Sequence, residues 1–154
     1  MEPMTKHLIA IASVLLLMHT LHAEDKWISS GFRVQQEDDL LASPTVTSKA
    51  GQLFKIEVTR PFVQAPGLSL STGVALDGKT EMKNGKIVYS FILTVREFEG
   101  DKSHGDQKAS AFKTREYLLS GDTLPGQEVK IDLGNKLSIS LMLSPAKHTD
   151  KKHG

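Results

Sequence analysis

The best candidate cluster of metal-binding side chains lies in one short polar stretch of the chain. Four potential ligands fall close together there: Glu99, Asp101, His104 and Asp106. Carboxylate and imidazole groups at such spacing can hold a divalent cation. The same stretch, Glu99–Gln107, also contains Gly, Ser and Lys, residues that turn and solvate well. We therefore predict an exposed loop at Glu99–Gln107, with no resident metal and no other cofactor.

Catalytic residues of recognisable pattern are missing from the sequence. Three histidines follow the first 23 residues, and none of them lies in a segment with a strand pattern: His104, His148 and His153. The chain has no cysteine, and it contains neither a Gly-x-Ser-x-Gly nor a His-Glu-x-x-His motif. We predict a non-enzymatic protein. An envelope hydrolase with a triad scattered along the chain is the less favoured alternative, because such a triad leaves no local motif.

The charge balance argues against nucleic-acid binding. The chain has 19 Lys and Arg against 18 Asp and Glu, a net charge of +1. Phosphate backbones are bound by concentrated basic surfaces, and the only basic cluster lies at the C-terminal end, which we predict to be a disordered tail at residues 148–154.

The first 23 residues are typical of a secretory signal. Lys6 and His7 precede the apolar run Leu8–Met18, and the small Ala23 stands before the charged Glu24. The run is shorter than the roughly 20 residues that cross a bilayer. We predict cleavage near Ala23 and a periplasmic or secreted protein without a lipid anchor, since no cysteine follows the signal. An uncleaved N-terminal anchor and a translation start at Met4 remain as alternatives.

The rest of the chain has the period-two alternation of strands with one buried face. The segments that show it are Gln52–Thr59, Gly73–Lys83, Lys86–Phe98, Ala111–Leu119, Glu128–Leu133 and Leu137–Pro145. We expect Arg60-Pro61 to end the first of them. Residues 24–42 fit either a short strand or a single helical turn. The pattern predicts an all-β fold, an antiparallel sandwich or open barrel of about six to eight strands.

Three turns are indicated by their residues. Asn84-Gly85 predicts a type I′ hairpin, because both central residues of that turn need a positive φ. Leu124–Gln127 has Pro and Gly at the central positions of a type II turn. Gly134-Asn135 is expected to join the last two strands.

Several sequence segments, in the same order along the chain, resemble the C-terminal β-domain of bacterial secretins. Secretins are the outer-membrane ring proteins of type II secretion and type IV pilus systems. They are Leu41–Gln52 with its Ser-Pro and Gly-Gln pairs, Phe54–Val58, Gly73–Leu76, Leu93–Phe98, Thr114–Glu116, Pro125–Val129 and Leu137–Pro145. The resemblance covers Asp38 to Lys147. The family's Pro-x-Leu-Gly-Asp-Ile-Pro signature is absent near the end, as are its preceding ring-forming domains and a long amphipathic membrane hairpin. The resemblance therefore implies a secretin-like module detached from the channel, and pore formation is not carried over.

These observations divide the chain into a signal peptide (1–23), a lead-in segment (24–37), a secretin-like β-domain (38–147) and a tail (148–154). We expect an exported domain that acts by protein–protein contact in the bacterial envelope, accessory to a secretin or pilus assembly. We also expect that the domain could associate with itself through its strand edges. We expect no nucleic acid partner and no membrane span in the mature chain. The alternative is a small-ligand or glycan-binding sandwich that uses the loops Gln64–Thr72 and Glu99–Gln107.

Overall fold

Nine strands account for most of the computed structural model, which describes residues 26–65 and 68–147. The strands are β1 (Trp27–Gln36), β2 (Asp39–Ala42), β3 (Thr45–Lys49), β4 (Phe54–Ala65), β5 (Leu68–Lys83), β6 (Lys86–His104), β7 (Gln107–Thr123), β8 (Glu128–Gly134) and β9 (Leu137–Ala146). The predicted signal peptide and tail lie outside these residues. Within the described ranges, no helix has the length and apolar character to cross a membrane.

The strands form two antiparallel sheets. In the first sheet, β1 pairs with β9 along its whole length, β8 follows β9, and β2 and β3 share the other edge of β1. The second sheet has the order β4-β5-β6-β7. This confirms the predicted all-β antiparallel sandwich, although the strand number exceeds the expected range by one.

The core lies between the sheets and consists of the alternating apolar residues. Phe91 of β6 is fully buried and contacts Phe32 of β1 edge-on, at 5.2 Å between ring centroids. Tyr89 stacks on the Phe91 ring, with 5.5 Å between the ring centroids. The last strand contributes Leu137, Ile139, Leu141 and Leu143, all with no exposed surface. The predicted inward positions of β6 and β9 are thus the core positions.

Two of the predicted turns have the expected geometry. Asn84 and Gly85 have φ angles of 51° and 76°, which confirms the type I′ hairpin. Gly126 has a φ of 78°, and the Gln127 amide donates to the Leu124 carbonyl at 3.1 Å. The prediction for the last turn was wrong by one residue. Asn135 and Lys136 form the turn, since Gly134 still pairs with Leu137 after an irregularity in β8.

The N-terminal part of the chain is more regular than its sequence indicates. The region 24–42 contains two strands, β1 and β2, and no helical turn within the described residues. Its segment 27–36, expected to be a lead-in, pairs with β9 and buries Ile28, Phe32 and Val34. The sandwich therefore includes the chain from Trp27 onward.

The strands of the second sheet also extend further than predicted. Pro61 does not end β4, because β4 is an edge strand in which a residue without an N–H group can be accommodated. The predicted loop at Glu99–Gln107 is wrong as well: β6 continues through His104, turns at Gly105-Asp106 and returns as β7. Residues 101–109 are exposed, so backbone pairing, and not burial of one face, maintains this part of the hairpin.

Candidate functional site

A cleft opens where the two hairpins of the second sheet separate. Pairing between β5 and β6 ends at Gly73 and Arg96. Beyond that point the β4–β5 hairpin continues to its last pair, Ala65 and Leu68, and the β6–β7 hairpin continues to His104 and Gln107. The two hairpins therefore share one sheet at their bases and become separate ribbons towards their tips.

Gly73 lies where the separation begins. Its φ is 133°, a backbone conformation that side chains other than glycine rarely adopt. A Cβ atom at this position would lie 2.2 Å from the Val58 carbonyl oxygen and 2.9 Å from the Thr59 Cα. The close approach of β4 to β5 at this point therefore requires glycine.

We call the space between the ribbons the hairpin cleft; it has a volume of about 570 Å³. It is bounded by β2, by the β4–β5 hairpin around Gly73, and by β6. Its apolar lining is Leu40, Leu41, Val58, Val74, Val95 and Phe98, and its charged lining is Asp39, Arg60, Arg96 and Glu97. The cleft thus combines apolar walls with both signs of charge.

Glu97 has a charge partner outside the cleft lining. Arg115 of β7 donates to its Oε2 at 2.6 Å and to Gln36 Oε1 at 2.9 Å. The Arg115 side chain is only 13% exposed, whereas that of Glu97 is 33% exposed, so the arginine is the shielded partner of the pair. The negative charge of Glu97 is therefore compensated by Arg115.

Arg96 lies with its guanidinium 5.3 Å from the centroid of the Phe112 ring, a cation–π distance. Its Nε atom is buried, and no described residue accepts a hydrogen bond from it. Arg60 is exposed and has no carboxylate partner within the described residues. Arg60 therefore retains the capacity to bind an anion, whereas Arg96 is partly buried against Phe112.

Three aromatic rings connect the separated ribbons. Phe62 of β4 lies 4.7 Å from Phe98 and 5.4 Å from Phe112, between ring centroids. Phe98 and Phe112 are cross-strand partners of the other hairpin, 5.5 Å apart. Aromatic contacts of this kind stabilise beyond the area they bury, so they hold the ribbons next to the cleft in a fixed relation.

The four metal-ligand candidates do not form a site in the part of the chain that the structure covers. Glu99, Asp101 and His104 follow one another along β6, and Asp106 is in the turn. Asp101 accepts a hydrogen bond from the Ser110 hydroxyl. No group of three or more His, Asp or Glu side chains in residues 26–65 and 68–147 is arranged to hold a metal ion.

The second sheet also has two open edges. Neither the outer edge of β4 nor that of β7 pairs with another described strand. β4 has 12 residues and includes Pro61, whereas β7 has 17 residues and no proline. Unpaired edges expose N–H and C=O groups that can pair with another strand, and the longer of these two lacks the proline that often protects an edge.

The fold is similar to that of a known secretin. No protein-family model matches the chain, and no curated protein matches it significantly. A cryo-EM structure of the type IV competence pilus secretin PilQ of V. cholerae superimposes with a TM-score of 0.53 and 10% sequence identity. The match covers 91% of this chain and 66% of the PilQ chain, just under two thirds of its length. The resemblance predicted from the sequence is thus supported at the level of the fold.

Proposed function

We propose that this chain is an exported, non-enzymatic β-domain that acts by protein–protein contact in the bacterial envelope, accessory to a secretin or pilus assembly. The observation that carries the proposal is the long open edge of β7, in a chain whose fold resembles that of a pilus secretin. The leader in residues 1–23 supports export to the periplasm or beyond.

Strand addition is the mechanism that this edge supports. A partner strand that pairs with β7 gains main-chain hydrogen bonds along its length, and its alternate side chains give specificity. The charged side chains of β7 limit indiscriminate pairing, since charge on an edge discourages aggregation. A second copy of the chain could be the partner, and self-association would then use the same edges.

A pair of lysine variants tests the role of the edge. Leu118 lies on β7 and is 74% exposed, whereas Met142 lies on β9, between β1 and β8, and is 50% exposed. Each substitution to Lys adds one charge to an exposed position. We expect Leu118→Lys to reduce capture of the organism's own secretin and pilus-assembly proteins, or self-association, while Met142→Lys leaves both unchanged.

Three results would contradict the proposal. The purified protein could stay monomeric and capture none of these envelope proteins, or the two lysine variants could behave alike. Turnover in a screen of generic esterase and glycosidase substrates would contradict the non-enzymatic part. For the proposed location, mass spectrometry of the periplasmic fraction should find a mature N-terminus near Glu24.

The hairpin cleft favours a second candidate function, a small-ligand or glycan-binding sandwich of the periplasm. This site differs from the one expected from the sequence, because it lies at the base of the hairpins and not at their tips. A thermal-shift screen with glycans and small anions tests it, since a ligand that binds only the folded state raises the melting temperature.

A further inference from the structure

We propose that the hairpin cleft binds a carboxylate side chain of an extended acidic segment in a partner protein. The proposal rests on the contact function proposed above, and it names the chemistry by which the partner is recognised. It concerns the cleft beside β4, and not the β7 edge.

The charges of the cleft favour an anion. Of its four charged residues, Glu97 is already paired with Arg115 at 2.6 Å. Two arginines, Arg60 and Arg96, then stand against the single carboxylate of Asp39. Their guanidinium groups match a carboxylate in geometry and charge better than lysine would.

The two arginines contribute differently, and Arg96 is the more remote. It lies on β6, which β5 separates from the open edge of β4, so it adds positive charge near the cleft without direct contact to a strand beside β4. Arg60 of β4 is the direct contact, because it is exposed and has no carboxylate partner among the described residues. A carboxylate oxygen would accept a charge-assisted hydrogen bond from Arg60, which is stronger than one to a neutral group.

The open edge of β4 points to an extended peptide as the source of the carboxylate. Val58 and Arg60 are two positions apart on β4, so their side chains share a face of the strand, and both line the cleft. A strand added beside β4 would place alternate side chains on that same face. The segment that fits has an acidic residue opposite Arg60 and an apolar residue two positions away, opposite Val58.

A peptide titration of the purified protein tests this inference. The probe is acetyl-Thr-Leu-Thr-Glu-Thr-amide, and its control has Gln in place of Glu. In ¹⁵N-resolved NMR spectra we expect the Arg60 Nε–H signal to shift with the Glu peptide only. Arg60→Gln should weaken binding by about tenfold, the loss expected for one hydrogen bond to a charged group.

Lys130→Gln is the matched control variant. Lys130 is an exposed residue of β8 in the first sheet, and its substitution removes one positive charge without touching the cleft. Binding by this variant should equal that of the unaltered protein.

Several outcomes would overturn the inference. The Glu peptide could fail to bind, or the Gln peptide could bind as tightly as the Glu peptide. Lys130→Gln could also weaken binding as much as Arg60→Gln does. If acetate or inorganic phosphate binds as tightly as the peptide, the cleft is a site for free anions and the peptide assignment is wrong. If the peptide does not bind while Leu118→Lys still reduces capture of envelope proteins, the cleft inference is wrong and the proposed function stands. If the peptide binds but the protein captures no envelope protein, the cleft inference stands and the proposed function is wrong.

Discussion

Substitution of Gly73 by alanine should destabilise the protein more than any comparable change in an open turn. The added Cβ would lie 2.2 Å from the Val58 carbonyl oxygen, a backbone atom that cannot rotate away. The residue would also have to keep a φ of 133°. Both effects act at the point where the two hairpins separate.

The magnitude follows from the two effects. Holding a residue other than glycine in such a sparsely populated conformation costs about 1–3 kcal/mol, and relieving an overpacked contact by backbone movement costs about 1–3 kcal/mol more. We therefore expect Gly73→Ala to lower the free energy of unfolding by about 2–6 kcal/mol, a large part of the roughly 5–15 kcal/mol of a typical domain.

Gly85→Ala is the matched control. Gly85 also has a positive φ, 76°, but its Cβ would meet no atom within 4 Å. The substitution therefore tests backbone conformation without the contact and should cost about 1–2 kcal/mol. Urea denaturation followed by the fluorescence of Trp27, the only tryptophan, gives both values from the transition midpoint and slope.

The comparison has a clear refuting result. If Gly73→Ala is no more destabilising than Gly85→Ala, at equal slopes, then the approach of Val58 to Gly73 is not a fixed feature of the fold. The hairpin cleft would then lack the rigid base that we assign to it.

Two further predictions concern ionisable groups in the second sheet. Burial raises the pKa of Tyr89 above its ordinary value of 10.0, and the Asp122 carboxylate raises it further. The folded state therefore favours the neutral phenol, so the stability from this group is present below about pH 10 and is lost as the pH rises through the higher folded pKa. Above pH 10 the urea midpoint should fall less steeply with rising pH in Tyr89→Phe than in the unaltered protein. An equal fall in both proteins would contradict the assignment. Glu97→Gln should lower the free energy of unfolding by about 1–3 kcal/mol, because a neutral amide replaces the carboxylate that accepts the hydrogen bond of the shielded Arg115. Glu57→Gln, which alters the exposed pair with Lys55, should have no measurable effect, and an equal loss in both variants would show that the Arg115 pair has no special role.

Hairpins with strong local signals could be predicted from the sequence. Alternation through Ile87, Phe91 and Val95 defines a buried face, and Asn84-Gly85 supplies the only turn chemistry that fits between the flanking strands. Counting outward from this turn places Arg96 opposite Gly73, which is the observed register. One wall of the cleft was therefore implicit in the sequence.

Elements that depend on distant partners could not be predicted in this way. The strand part at residues 99–104 has no buried face and few residues of high β propensity, so alternation does not reveal it. β1 pairs along its whole length with β9, about a hundred residues away in the chain. The pair of Arg115 and Glu97 depends on the register of β6 and β7, whose turn at Gly105-Asp106 we interpreted as part of a loop.

The same separation of the hairpins connects the cleft with the sheet edges. β4 contributes Val58 and Arg60 to the cleft and also presents an open edge, whereas β7 presents an edge and does not line the cleft. A peptide that pairs with β4 would thus use the cleft for side-chain recognition, while β7 remains open to a different strand. Gly73→Ala, which disturbs the β4–β5 contact, should therefore weaken peptide binding in the cleft, and Leu118→Lys should leave it intact. If instead Leu118→Lys abolished both activities, the two surfaces would form a single site, and the separate roles of β4 and β7 would be refuted.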